Sequence, residues 1–253
     1  MSKNVACMCT VSHNHNNLHN DWIPLVTNEN YDKFLIVDTT NNNHLKEGFL
    51  YTEDDVRRNL NFPHHVSKRH YWNSMGNRNI IWFFAHLRMM NFYLSHPNYD
   101  YYWFFDDDLK MDDWSEFLRQ TDEDKSDFIS YFIFKHNNVD SQPNIPIIDS
   151  RTTSGHMWFE RFPGNGDNLP PEVTQKFGSF FPTTRFSNEA MKKLVELNQQ
   201  GYYGYGEGFV PSVLNHYGFT LNTLITSEDK SNIFDFENNK IWHKNIIVDW
   251  AWI

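Results

Sequence analysis

The chain has 253 residues and a formal net charge of −10, a size that fits one α/β domain with insertions. Its basic residues form no long run, which argues against duplex nucleic acid as a partner, and no apolar run reaches the length of a membrane span. Cys7 and Cys9 are too few for a disulfide scaffold and read as small core residues sharing one strand face; with no signal-type apolar segment at the N-terminus, the expectation is a soluble protein of a reducing, cytoplasmic compartment.

In chain order, residues 4–11 predict a strand that ends in a polar loop, 12–20, carrying His13, His15 and His19. His alternating with Asn reads as a solvated loop before a metal tract, yet a loop at the carboxyl end of a first strand is placed to touch a ligand. Residues 33–37, KFLIV, predict a buried strand ended by Asp38. That carboxylate either caps a turn or accepts hydrogen bonds from a nucleobase or ribose. Residues 53–60 predict a short helix before Pro63. Residues 74–95 predict the strongest helix: Ile80, Phe83, Phe84, Leu87, Met90 and Leu94 follow helical spacing, with Asn91 the polar exception. Arg78 in its first turn is either a phosphate or sugar contact or an ordinary surface residue.

The stretch 99–109, YDYYWFFDDDL, organises the rest. An aromatic run apolar on both faces predicts a strand buried on both sides. Such a strand cannot carry three carboxylates into the core unpaired, so Asp106, Asp107 and Asp108 must emerge at its carboxyl end, where open α/β sheets bind ligands. Strand alternation would put Asp106 and Asp108 on one face and Asp107 on the other. Paired carboxylates of this kind suit a hard divalent cation. Asp112 and Asp113, ahead of Trp114, Phe117 and Leu118, read as capping acidity for a helix over 115–120.

Beyond it, 127–135 predicts one strand, and 136–182 is a long excursion typical of functional loops. A capped helix follows over 188–199. Four glycines and three tyrosines then crowd 201–208, a turn that would let the backbone approach a ligand, with a helix over 209–217 starting near Pro211. Glu207 sits within this turn. It is either a helix N-terminal carboxylate or a general base, and its sequence setting gives no reason for a shifted pKa. Residues 240–248 carry a single histidine, His243, whose default reading is a surface residue.

In this order the features resemble the nucleotide-sugar-dependent glycosyltransferases of GT-A fold, whose DXD motif is matched by Asp106-Asp107-Asp108. The resemblance implies an α/β, Rossmann-like three-layer sandwich with a mostly parallel mixed central sheet. It implies one catalytic domain over 1–253, with a nucleotide-binding half, 1–110, and an acceptor-binding half, 111–253. It further implies that Asp106, Asp108 and His243 hold Mn²⁺ or Mg²⁺, and that Thr10, Ser12, Asp38, Arg78, Asp106 and Asp107 contact a nucleoside-diphosphate sugar, UDP-sugar favoured. Glu207 would be the base of an inverting transfer to a hydroxyl-bearing glycan or similar acceptor. Two rival readings remain. A nucleotidyltransferase of related fold would want a Gly- and basic-rich loop after the first strand, whereas 12–21 reads SHNHNNLHND. A non-catalytic, Ca²⁺-dependent carbohydrate-binding protein would bind glycans without nucleotide affinity.

Overall fold

The aromatic strand and the N-terminal strand lie side by side at the middle of a seven-stranded sheet. In the computed structural model, residues 3–11, 22–24, 26–40, 47–61, 85–107, 109–111, 113–131, 133–136, 168–224, 234–236 and 239–243 are described. β1 (Asn4–Val11) pairs in parallel with β2 (Tyr31–Asp38) on one side and with β4 (Tyr101–Asp106) on the other. β3 (Phe49–Tyr51) extends the β2 side in parallel. Beyond β4 come β9 (Thr183–Ser187), β6 (Phe128–Ser130) and β10 (Leu221–Thr223). β9 is antiparallel to both its neighbours and β10 is parallel to β6, so β9 alone runs against the other strands of this sheet. The sheet is therefore mixed and mostly parallel.

Strand alternation sorts the core into two layers. Val5, Cys7, Cys9, Tyr102 and Phe104 face one cluster, which holds the buried sides of α1 (Glu53–Asn59), α2 (Ala85–Ser95), α4 (Asn188–Gln199) and α5 (Gly206–His216). Ala6, Met8, Trp103 and Phe105 face the other, with Trp22, Val26 and α3 (Trp114–Thr121). Both cysteines are buried and free, the small core residues expected. α2 is buried on all sides from Ala85 to Tyr93, so its polar residues His86, Arg88 and Asn91 had to find partners within the fold.

Local chemistry sets the boundaries. Thr52 and Asp55 form a reciprocal capping box on α1, Asp113 caps α3 through Glu116 N, and Ser187 caps α4 through Ala190 N. Gly201, at φ +91°, ends α4 in the left-handed conformation that glycine tolerates. Two expectations need correction. The single strand over 127–135 is two: β6 stays in the main sheet, while β7 (Ile133–His136) pairs antiparallel with β8 (Lys176–Ser179). The split comes at Ser130, whose hydroxyl donates to Phe180 O at 2.5 Å and whose carbonyl accepts from Leu224 N at 3.0 Å. The helix expected from Pro211 begins at Gly206 and holds Pro211 inside it. A small sheet joins β5 (Leu109–Met111), β12 (Asn239–His243) and β11 (Phe234–Phe236). Among the described residues no helix is long and apolar enough to cross a membrane. The first part of the 74–95 helix and most of the 136–182 excursion lie outside the described residues.

Candidate active site

From β1 the chain builds outward through β2 and β3, then crosses to β4 on the opposite side. That reversal makes a crevice at the carboxyl ends of β1 and β4, the place where open α/β sheets take ligands. Cys9 is the register partner of Asp106 across this boundary. One residue further along each strand, Thr10 Oγ1 donates to Asp107 Oδ2 at 2.7 Å. Asp106 points to the helix layer, where Arg88 Nη2 donates to its Oδ1 at 2.6 Å. The Arg88 side chain is only 4% exposed and Asp106 is 33% exposed, so the pair reaches from the core to the crevice floor. Burial disfavours the Arg88 charge, but Cys9, Asp106 and Tyr51 more than offset this, and its proton affinity ends above the ordinary arginine value. Cys9 is pushed up to about 12 by burial, with Arg88 opposing and Asp106 and Asp107 adding to the rise.

Glu207 occupies the first turn of α5 and is 8% exposed. Its Oε1 accepts from Phe181 N at 3.0 Å and its Oε2 from the Tyr205 hydroxyl at 2.5 Å. Burial raises its pKa from 4.5 to about 7; the Tyr205 and Phe181 hydrogen bonds pull it down, and the Asp106 charge pushes it up. The Glu207 carboxylate and the backbone of Asp106 are joined through one dipeptide. Phe181 gives its N–H to Glu207, and the next carbonyl, Pro182 O, accepts from Asp106 N at 2.9 Å. The sequence setting offers no reason for a shifted pKa because the shift comes from burial, and that burial depends on how a segment remote in the chain packs on the first turn of α5.

The Gly/Tyr turn also differs from expectation. A Cβ on Gly206 would sit 2.7 Å from His86 Nδ1, so glycine here lets the start of α5 close on α2 rather than on a ligand. His86 is buried against Phe209, and burial lowers its pKa to about 3, so the ring is neutral.

The sequence-predicted residues divide as follows. Thr10, Asp106 and Asp107 meet at the crevice, and Glu207 lies beside them across Phe181-Pro182. Asp106 and Asp107 leave the strand in opposite directions, Asp106 to Arg88 and Asp107 to Thr10. Asp38 closes a local turn: its Oδ1 accepts from Thr40 N at 2.8 Å and Thr40 Oγ1 at 2.5 Å, and Thr40 Oγ1 accepts in turn from Glu53 N. The capping alternative describes it, at a strand end two places from β4. His243 is the register partner of Leu109, so the backbone of β12 passes next to the residue that follows Asp108. Ser12, Arg78 and Asp108, and the side chain of His243, lie outside the described residues. Among those described, no group of three or more His, Cys, Asp or Glu is arranged to hold a metal ion.

Arg88, Tyr205 and the Ser179–Phe181 segment were missed in the sequence. Arg88 had a signal: a lone cation inside an otherwise apolar helical run must have a buried partner. Tyr205 and residues 179–181 had none, because their roles depend on how α5 meets β8. No protein-family model matches the chain, and no curated protein matches it.

Proposed function

We propose that this chain is a glycosyltransferase of GT-A type, metal-dependent and inverting, that moves a sugar from a nucleoside-diphosphate sugar, UDP-sugar favoured, to a hydroxyl acceptor. One observation carries the reading: the backbone of Asp106, at the switch point, is tied through Phe181-Pro182 to a buried carboxylate, Glu207, whose pKa of about 7 suits a base. The crevice donors are carboxylate oxygens, which fit Mn²⁺ or Mg²⁺ in ligand type. Asp106 would hold such an ion together with Asp108 and His243, with Asp107 left to the donor, and the β5–β12 register that brings His243 opposite Leu109 supports that set. When bound, the ion would supply positive charge against the departing diphosphate.

The remaining chemistry falls to the chain's own residues. Arg88 fixes Asp106 and Thr10 fixes Asp107, so both carboxylates are oriented before the donor arrives. Glu207 takes the proton of the acceptor hydroxyl as its oxygen bonds to the anomeric carbon. The bond from that carbon to the diphosphate oxygen breaks, its electron pair leaving with the diphosphate. A positioned base contributes roughly 10²–10⁴-fold. Each Glu207 oxygen accepts one hydrogen bond within the fold and retains capacity for a second.

The test is a screen of UDP-glucose, UDP-galactose, UDP-N-acetylglucosamine and GDP-mannose for Mn²⁺-dependent release of the nucleoside diphosphate. Release that needs Mn²⁺ and disappears in Asp108→Ala supports the proposal. Release unaffected by chelation would remove the metal from it.

A further inference from the structure

The first turn of α5 has a break in its own hydrogen-bond ladder at the residue that matters most. Glu207 O would ordinarily accept from the N–H four residues on, but that residue is Pro211, which has none. The orphaned carbonyl is taken instead by the hydroxyl of Ser179, fully buried at the end of β8, at 2.9 Å. Two residues later the same segment gives Phe181 N to the Glu207 carboxylate. Ser212, also fully buried, completes the seam: its hydroxyl accepts from Phe177 N at 2.8 Å and donates to Gly208 O at 2.7 Å. On the opposite side, Gly206 is held against His86. The backbone and the side chain of Glu207 are therefore gripped by one strand end.

We infer that Ser179 is a positioning residue for the Glu207 carboxylate, acting through the backbone carbonyl that Pro211 releases from the helix. The proline opens the ladder so that β8, rather than α5 alone, decides where the carboxylate sits. A helix that satisfied its own carbonyl would hold the first turn, and Glu207 with it, without Ser179. With Pro211 in place and Ser179 removed, the carbonyl has neither partner and the turn is free to shift away from Phe181 N. The consequence for transfer rests on the reading of Glu207 as the base; the clamp itself does not.

The experiment is a double-variant cycle, Ser179→Ala, Pro211→Ala and the two together, read by amide hydrogen exchange in the metal-free full chain. Ser179→Ala should speed exchange at the Phe181 N–H by about tenfold relative to the buried Leu194 amide of α4. Pro211→Ala supplies the missing donor in the helix, so the double variant should bring Phe181 exchange back toward the wild-type rate. Equal change at Phe181 and Leu194, or no recovery in the double variant, overturns the inference and leaves Ser179 an ordinary packing residue. Should Ser179→Ala fail to fold, a folded double variant supports the coupling and an unfolded one refutes it. With a turned-over donor from the nucleotide-sugar screen, Ser179→Ala should lower kcat about tenfold at unchanged donor KM, and the double variant should recover it. If Glu207→Gln leaves kcat untouched while the exchange cycle holds, the base reading fails and the clamp stands.

Discussion

Replacing Glu207 by Gln tests the burial of the site without any substrate. The folded-state pKa, about 7, lies above the ordinary value of 4.5, so the folded chain holds this proton where the unfolded chain has released it. Stability then falls as pH rises from 4.5 through 7 and is flat above. At ~1.4 kcal/mol per pH unit, the difference amounts to about 3 kcal/mol of instability fully present by pH 8. Gln is nearly isosteric and keeps the contacts: its carbonyl accepts from Phe181 N, and its amide donates to the Tyr205 oxygen, which can act as acceptor. Glu207→Gln should therefore match the wild type near pH 4.5 and exceed it by about 3 kcal/mol at pH 8, about 6–12 °C in Tm for a chain of this size. Urea or thermal unfolding of both proteins between pH 4.5 and 8 measures this, and the difference cancels every other titrating group. A gap that does not change with pH would place the carboxylate in water and refute the reasoning.

His86 should act in the opposite sense. Its pKa is depressed to about 3 from 6.5, so the stability it confers at neutral pH is lost as pH falls below 6.5. Between pH 6.5 and 5 the wild type should lose about 2 kcal/mol more than His86→Phe, whose ring cannot titrate; equal losses in unfolding experiments would count against a buried neutral imidazole. Asp106→Asn leaves the Arg88 guanidinium without its counter-charge. Because Asp106 is one-third exposed, the cost should be about 2 kcal/mol by denaturant unfolding rather than the full penalty of a broken buried pair, and a change below ~0.5 kcal/mol would mean that Arg88 does not depend on it. Mn²⁺ should raise the Tm of the wild type and not that of Asp108→Ala; equal shifts would take Asp108 out of the ligand set.

Features set by local chemistry were legible in the sequence. β1 and α4 fall at their expected bounds because one is a short apolar run before a polar loop and the other has Ser187 and Gly201 at its ends. The layered α/β character follows from apolar strands alternating with helices, and the place of Asp106 at the end of β4 follows from the cost of burying charge. What was not legible depends on contacts between distant segments. The start of α5 ahead of Pro211 is possible because Ser179 accommodates the carbonyl that proline orphans. Glu207 looks exposed among glycines and is buried where the Ser179–Phe181 segment packs on the first turn of α5. The division of 127–135 into β6 and β7 answers to the partners of Ser130, Phe180 and Leu224.

Titration calorimetry of UDP with the full chain, with and without Mn²⁺, bears on the switch-point crevice most directly. The account predicts UDP binding that requires Mn²⁺ and is lost in Asp108→Ala, with Glu207→Gln binding UDP as the wild type does. Glycan binding with no heat from UDP at any Mn²⁺ concentration would contradict it and leave a carbohydrate-binding protein in its place.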